Sequence, residues 1–144
     1  MLSTQGIKVK GQWKMENGVL TGSGESYIDF PVSINPPFKL WFTIKVLEGI
    51  RARVFFGPLS LANGPPTSFF LWPWHEGEGL IKYERNTPYK VAIFVSHKTV
   101  ELYVEDKLIA TVPGFKDHVD KLEFSAGDGW SKGSAEFRDI VLSK

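Results

Sequence analysis

The sequence predicts an all-β sandwich or jelly roll, and three observations carry that prediction. Nine prolines and fourteen glycines are spread over 144 residues, so few windows long enough for a helix escape a breaker. Short apolar runs alternate with period two, the period of a half-buried strand. Turn residues recur at roughly ten-residue spacing, which implies about ten to twelve strands and essentially no helix.

The elements follow in order. Ile7–Met15 reads as a first strand, with Ile7 and Val9 alternating with lysines. Asn17-Gly18 supplies the positive φ of a tight hairpin turn. Val19–Thr21 continues as a short strand that Gly22-Ser23-Gly24 loosens, and Ser26–Val32 is the next strand. Asn35-Pro36-Pro37 is a stop. Phe38–Leu47 is apolar on both parities, as a strand covered on both faces would be. Arg51–Phe56 follows, ended by Gly57-Pro58. Leu59–Thr67 reads as a loop because Asn-Gly-Pro-Pro resists regular structure.

Ser68–Trp74 is a strand with Phe70, Trp72 and Trp74 on one face and Phe69, Leu71 and Pro73 on the other. Glu76–Gly79 turns and Leu80–Glu84 returns. Tyr89–Val95 is a strand, and Thr99–Glu105 shows the cleanest alternation in the chain. Asp106-Lys107 turns into Leu108–Val112. Pro113–Asp120 is the only stretch where a helical turn is plausible. Lys121–Ala126 is a strand, residues 127–133 form a glycine-rich loop carrying Trp130, and Ser134–Leu142 closes the chain.

Composition bounds the rest. The length suits one domain, spanning 1–144, with its packed part from about Gly6 to Leu142. A chain of this size hides about 70% of its unfolded surface without staples. The net charge of +1 and the lack of a basic stripe argue against nucleic acid. No window approaches the about 18 apolar residues of a membrane span. No signal-peptide h-region is seen, so the compartment is left open: extracellular if the chain is an excised module. The absence of cysteine removes disulfides, thiolate zinc sites and thiol catalysis. Aromatics reach 14%, more than a small core needs, so some are expected to serve a surface.

Three segments resemble a known superfamily. WKMENGVLTGSG (Trp13–Gly24) resembles the opening strand pair of concanavalin A-like lectin/glucanase and LamG-like jelly rolls. YKVAIFVSHKTVELYVEDKLIATV (Tyr89–Val112) is similar to their central strands, and GSAEFRDIVLSK (Gly133–Lys144) to their closing strand. The resemblance implies two stacked antiparallel sheets, one concave, with sugars bound on the concave face or at its rim loops. It also implies a structural calcium held through Asp139, with Asp128 a second candidate. A salt link from Asp139 to a neighbouring strand is the reading preferred over the ion. A fold shared by lectins, carbohydrate-binding modules, adhesion domains and glycosidases leaves function open.

Sugar recognition needs flat aromatic faces for pyranose C–H groups and a few planar polar groups for hydroxyls. Phe69–Tyr83 is the densest source of both. The candidate ligand-binding residues are Trp72, Trp74, His75, Tyr83, Arg85 and Trp130. Trp72 is balanced between core and surface. Pro73 argues for an edge or strand end, which favours exposure of Trp74. Trp41 is expected in the core, Trp13 in packing, and Trp130 at a rim.

No catalytic residue is assigned. The nearest acid pairs, Glu76/Glu78 and Glu101/Glu105, do not form the Glu-x-Asp-x-(x)-Glu strand motif that the resemblance attaches to retaining glycosidases. The expected function is a non-catalytic, lectin-like module that binds an oligo- or polysaccharide. The alternatives are a protein-interaction or architectural domain and, behind it, a glycoside hydrolase. Homodimerisation through an open sheet edge stays open.

Overall fold

A computed structural model describes residues 2–49, 52–64, 68–127 and 132–144. Eleven strands and no helix occur among the described residues: β1 (Lys8–Glu16), β2 (Val19–Ile34), β3 (Phe38–Gly49), β4 (Arg53–Phe56), β5 (Leu59–Gly64), β6 (Ser68–Trp72), β7 (Pro88–Val95), β8 (Thr99–Val104), β9 (Lys107–Pro113), β10 (Val119–Ala126) and β11 (Gly133–Ser143). All pairings are antiparallel, in the order β6-β5-β4-β10-β2-β11-β3-β7-β8-β9, with β1 also on β2.

The strand β2 is the fold's hinge. Its first half, Val19–Gly24, pairs with β11, and its second half, Ser26–Ile34, pairs with β10. The network therefore divides there into two layers. One continues through β11, β3, β7, β8 and β9, and the other through β10, β4, β5 and β6. Rings meet across the gap between them: Phe124 of β10 lies edge-on to Phe42 of β3 and Phe137 of β11, at 6.2 and 5.0 Å. Phe69 of β6 meets Tyr89 of β7 at 5.6 Å. Alternate residues of every core strand feed this seam, as the period of two requires.

Glycine makes the division possible. A Cβ on Gly127 would fall 2.0 Å from the Gly24 carbonyl oxygen, where β10 and β11 part. Gly24 itself has φ +80, and Gly11 opposite sits at a bulge with φ +85. Both are left-handed conformations that a side chain strains.

Several expectations change. Gly22-Ser23-Gly24 does not separate two strands; β2 runs through it. Gly22 is there because the Trp13 ring lies on it, and a Cβ would come within 2.5 Å of that ring. Trp13 packs as expected, stacked on Phe137 at 6.3 Å. Leu59–Gly64 is a strand and not a loop. Leu59 and Leu61 fill the core, and pairing with both β4 and β6 outweighs weak local propensity.

Leu80–Glu84 forms only an isolated bridge, Ser68 to Lys82. No helical turn forms between Pro113 and Val119; Phe115 instead packs edge-on to Phe38. The β8–β9 turn centres on Glu105 and Asp106, both at positive φ, one residue earlier than read. Trp41 is not core. β3 buries only Phe38, Leu40, Phe42, Ile44 and Val46, and Trp41 lies half-buried on the outward face, edge-on to Phe94 at 6.1 Å.

Candidate functional site

The outward face of the β10 layer gathers most of the chemistry. Register sets one row straight across it: Asp29 on β2 opposite Glu123 on β10, Glu123 opposite Phe55 on β4, Phe55 opposite Ser60 on β5, and Ser60 opposite Trp72 on β6. Four interstrand steps make this row about 19 Å long. Lys8 of β1 stands opposite Asp29 and extends it. A flanking row holds Tyr27, Ser125 and Arg53.

The two ends of the row differ. At one end Asp29 and Glu123 form a carboxyl pair. Asp29 is 8% exposed, and its Oδ1 has no hydrogen-bond partner among fixed donors. Lys121 Nζ lies 3.8 Å from both Asp29 Oδ2 and Glu123 Oε1. Burial pushes the Glu123 carboxyl up to about 7, and the hydrogen bond and negative charge of Asp29 push the same way; Lys121 opposes them. A protonated Glu123 can donate to Asp29, whose Oδ1 otherwise lacks a donor. Glu123 thus holds its proton to about pH 7.

At the other end Trp72 is 37% exposed, with the Arg53 guanidinium 5.9 Å from the ring centroid. The chain then leaves β6 and folds back on it. Leu71 N donates to the Glu76 carbonyl at 3.0 Å, and Gly79 N donates to Ser68 Oγ at 3.0 Å. Gly77 sits tight against β9, where a Cβ would meet the Ile109 carbonyl oxygen at 2.9 Å. This turn lays His75 flat on Phe70, centroids 4.9 Å apart, and pairs His75 Nδ1 with Glu78 Oε2 at 2.7 Å. Trp74 is left 54% exposed.

Trp72, Trp74 and His75 thus come together at one rim. Two other candidates do not join them. Tyr83 is a core residue, 3% exposed, stacked on Phe69 at 4.8 Å and accepting a hydrogen bond from Asn63 Nδ2 at 3.1 Å. Burial raises its phenol pKa. Tyr89 of β7 meets it edge-on at 6.5 Å. Arg85 is tied to the end of β3, where its Nη2 donates to the Gly49 carbonyl at 3.3 Å.

Trp130 and Asp128 lie outside the described residues. Asp139 is exposed at a bulge of β11, at φ 55, and lines an apolar cavity of about 540 Å³ with Met15, Leu20 and Phe30. No ion pair to Asp139 and no group of three metal-ligating side chains occurs among the described residues, so neither the salt link nor a multidentate ion site is formed by side chains there.

The sequence pattern does not single out Asp29, Glu123, Phe55 and Arg53 as site residues. Each is the outward residue between two buried apolar ones, as in Ile28-Asp29-Phe30 and Leu122-Glu123-Phe124. That alternation was visible. Their adjacency was not, because it depends on the pairing of strands about 90 residues apart.

Comparison with solved structures gives the fold a context. The chain superposes on a structure described as carbohydrate binding module CBM66 from Bacillus subtilis with TM-score 0.73 and 15% identity, covering 100% of this chain and 99% of that one. It superposes on a sialidase with TM-score 0.79 and 11% identity, over 96% of this chain but only 17% of the sialidase. The carbohydrate recognition domain of Emp47p matches with TM-score 0.65 and 11% identity, covering 100% and 90% of the two chains. No family profile and no curated protein matches the sequence. The fold is the concanavalin A-like jelly roll.

Proposed function

We propose that this protein binds carbohydrate along the outward row of the β10 layer, without cleaving it. The observation that carries this reading is the row itself. A stacking end, Trp72, and a hydrogen-bonding end, Asp29, Glu123 and Lys121, lie on one face, with Phe55 and the buried Ser60 between them in the row. Sugar C–H faces stack on aromatic rings, while sugar hydroxyls both donate and accept. Trp74 and His75 form the rim. Similar folds described as a carbohydrate binding module and a carbohydrate recognition domain support the class of ligand.

The same geometry argues against hydrolysis at this site. Retaining glycosidases set their carboxyls about 5–5.5 Å apart, with the scissile bond between them. Asp29 and Glu123 are direct register partners, and Lys121 Nζ lies 3.8 Å from a carboxylate oxygen of each, so these carboxyls do not flank an open gap.

The test is a titration of the protein with a panel of polysaccharides, followed by tryptophan fluorescence and calorimetry. Saturable binding that Trp72→Ala weakens about tenfold or more supports the reading. Wild-type affinity in both Trp72→Ala and Glu123→Ala would remove it.

A further inference from the structure

The β3 layer carries its own aromatic trough on the opposite side of the molecule. Register aligns Trp41 on β3, Ala92 on β7 and Tyr103 on β8. Trp41 and Tyr103 therefore stand two interstrand steps apart, about 9–10 Å, with the methyl of Ala92 as a low floor between them. Phe94 closes one end, 6.1 Å from Trp41 and 5.1 Å from Tyr103. Lys90 and Asp106 line the trough as well, and its volume is about 360 Å³. All three rings are half-buried and point outward, away from the seam that the core fills.

Its rim is charge-balanced. Lys90 is accompanied by Asp106. In the next row Lys39, Phe94 and Glu101 align, with Lys39 Nζ 5.3 Å from the Phe94 centroid and Tyr103 Oη donating to Glu101 Oε2 at 3.5 Å. Donors and acceptors of both signs around aromatic walls suit a neutral, polyhydroxylated ligand. An anion or cation would meet one repelling partner for each attracting one. Seven residues line the trough, against the about 20–30 a side of a stable protein interface. The volume lies in the lower part of the range for small-ligand sites, about 300–1,000 Å³.

We propose that this trough is a second carbohydrate site, specific for neutral glycans, and that the chain is bivalent, with one site on each outward face. The ligand class rests on the carbohydrate reading above; the location does not. Two sites facing opposite ways cannot share one short oligosaccharide. They can hold two chains of a polysaccharide, or two loops of one, with the gain in avidity that linkage gives.

The experiment is NMR titration of the Ala92 methyl and the tryptophan indole N–H signals. The probes are short linear glucans, mannans, xylans, galactans and fructans, with oligogalacturonate as the anionic comparator. It is run on wild type, Trp72→Ala, Ala92→Phe and the double variant. Ala92→Phe fills the trough from an outward position, so the core is untouched.

The expected result is that the Ala92 and Trp41 signals of Trp72→Ala still move with a neutral glycan, and that adding Ala92→Phe weakens this binding about tenfold or more. Loss of those shifts in Trp72→Ala overturns the second site and leaves the first. Unmoved Ala92 and Trp41 signals in wild type, or stronger shifts with oligogalacturonate, also overturn it. Shifts at Ala92 and Trp41 with none at Trp72 leave the trough standing and remove the reading of the β10 face.

Discussion

The two outward faces are built from the same residue types and differ in burial. Each has aromatic rings, lysines and carboxylates. On the β3 face Lys45 and Glu136 form a 3.2 Å ion pair with side chains 30% and 25% exposed, each partner answered by the other. On the β10 face Lys121 reaches two carboxyls at 3.8 Å, and one of them, Asp29, is nearly buried. Solvent dissolves the problem of charge on the first face. On the second, burial and the neighbouring Asp29 raise the Glu123 pKa to about 7. The difference teaches that the same residue types make a matched ion pair on one face and a crowded pair of acids around one lysine on the other, according to which strands lie side by side.

The largest effect is expected where both faces depend on one ring. Phe124 touches Phe30, Phe42 and Phe137 at the seam between layers. Phe124→Ala should cost about 3–5 kcal/mol, measured by urea unfolding, and should weaken binding at both faces together. Loss at one face alone would show that the layers are supported independently.

Next comes Trp72→Ala, where about tenfold or more of glycan affinity is at stake. Stability should change by less than about 1 kcal/mol because the ring is on the surface. A large drop in stability would make Trp72 a structural residue and shift the reading toward the β3 face.

The carboxyl pair supplies a pH test with a definite sign. Folding raises the Glu123 pKa from its ordinary 4.5 to about 7, so the folded state binds this proton more tightly than the unfolded one. The proton's contribution to stability is therefore fully present below about pH 4.5 and is lost as pH rises to about 7. Asp29 and Lys121 face Glu123 directly, and Lys8 stands beyond Asp29. After allowing for solvent screening, the loss should be about 1–2 kcal/mol. Glu123→Gln should flatten this slope and stabilise the protein above pH 7. A slope unchanged in that variant would place the titration elsewhere.

The smallest effect belongs to the half-buried ion pair of the β3 face. Lys45→Ala should cost about 0.2–1 kcal/mol, with most of it gone at high salt. A larger loss would mean that the β3 face is more closed than its exposures indicate.

Much of the fold was legible in the residues. Thr99–Val104 alternates cleanly, and all its apolar positions are buried. Asn17-Gly18 makes the turn it encodes, with both residues at positive φ. The failures have one cause. Leu59–Gly64 looks like a loop, Leu80–Glu84 looks like a strand, and Trp41 looks like core. In each case partners on other strands overrode the local pattern. Leu59–Gly64 gained two neighbours, Leu80–Glu84 gained none beyond a single bridge, and β3 turned Trp41 to the side without a covering layer.

By itself, then, the sequence determined that this chain is a β sandwich, where most of its strands start and stop, and that Trp72, Trp74 and His75 lie close together. Those features depend on periodicity, turn chemistry and short separations along the chain. Only the tertiary structure decided which acids pair, that Tyr83 is buried, and that aromatic rings occupy both outward faces. Such facts depend on interstrand register. A shift of one residue would turn Asp29 and Glu123 into the core, and no local pattern records which register the distant strands adopt.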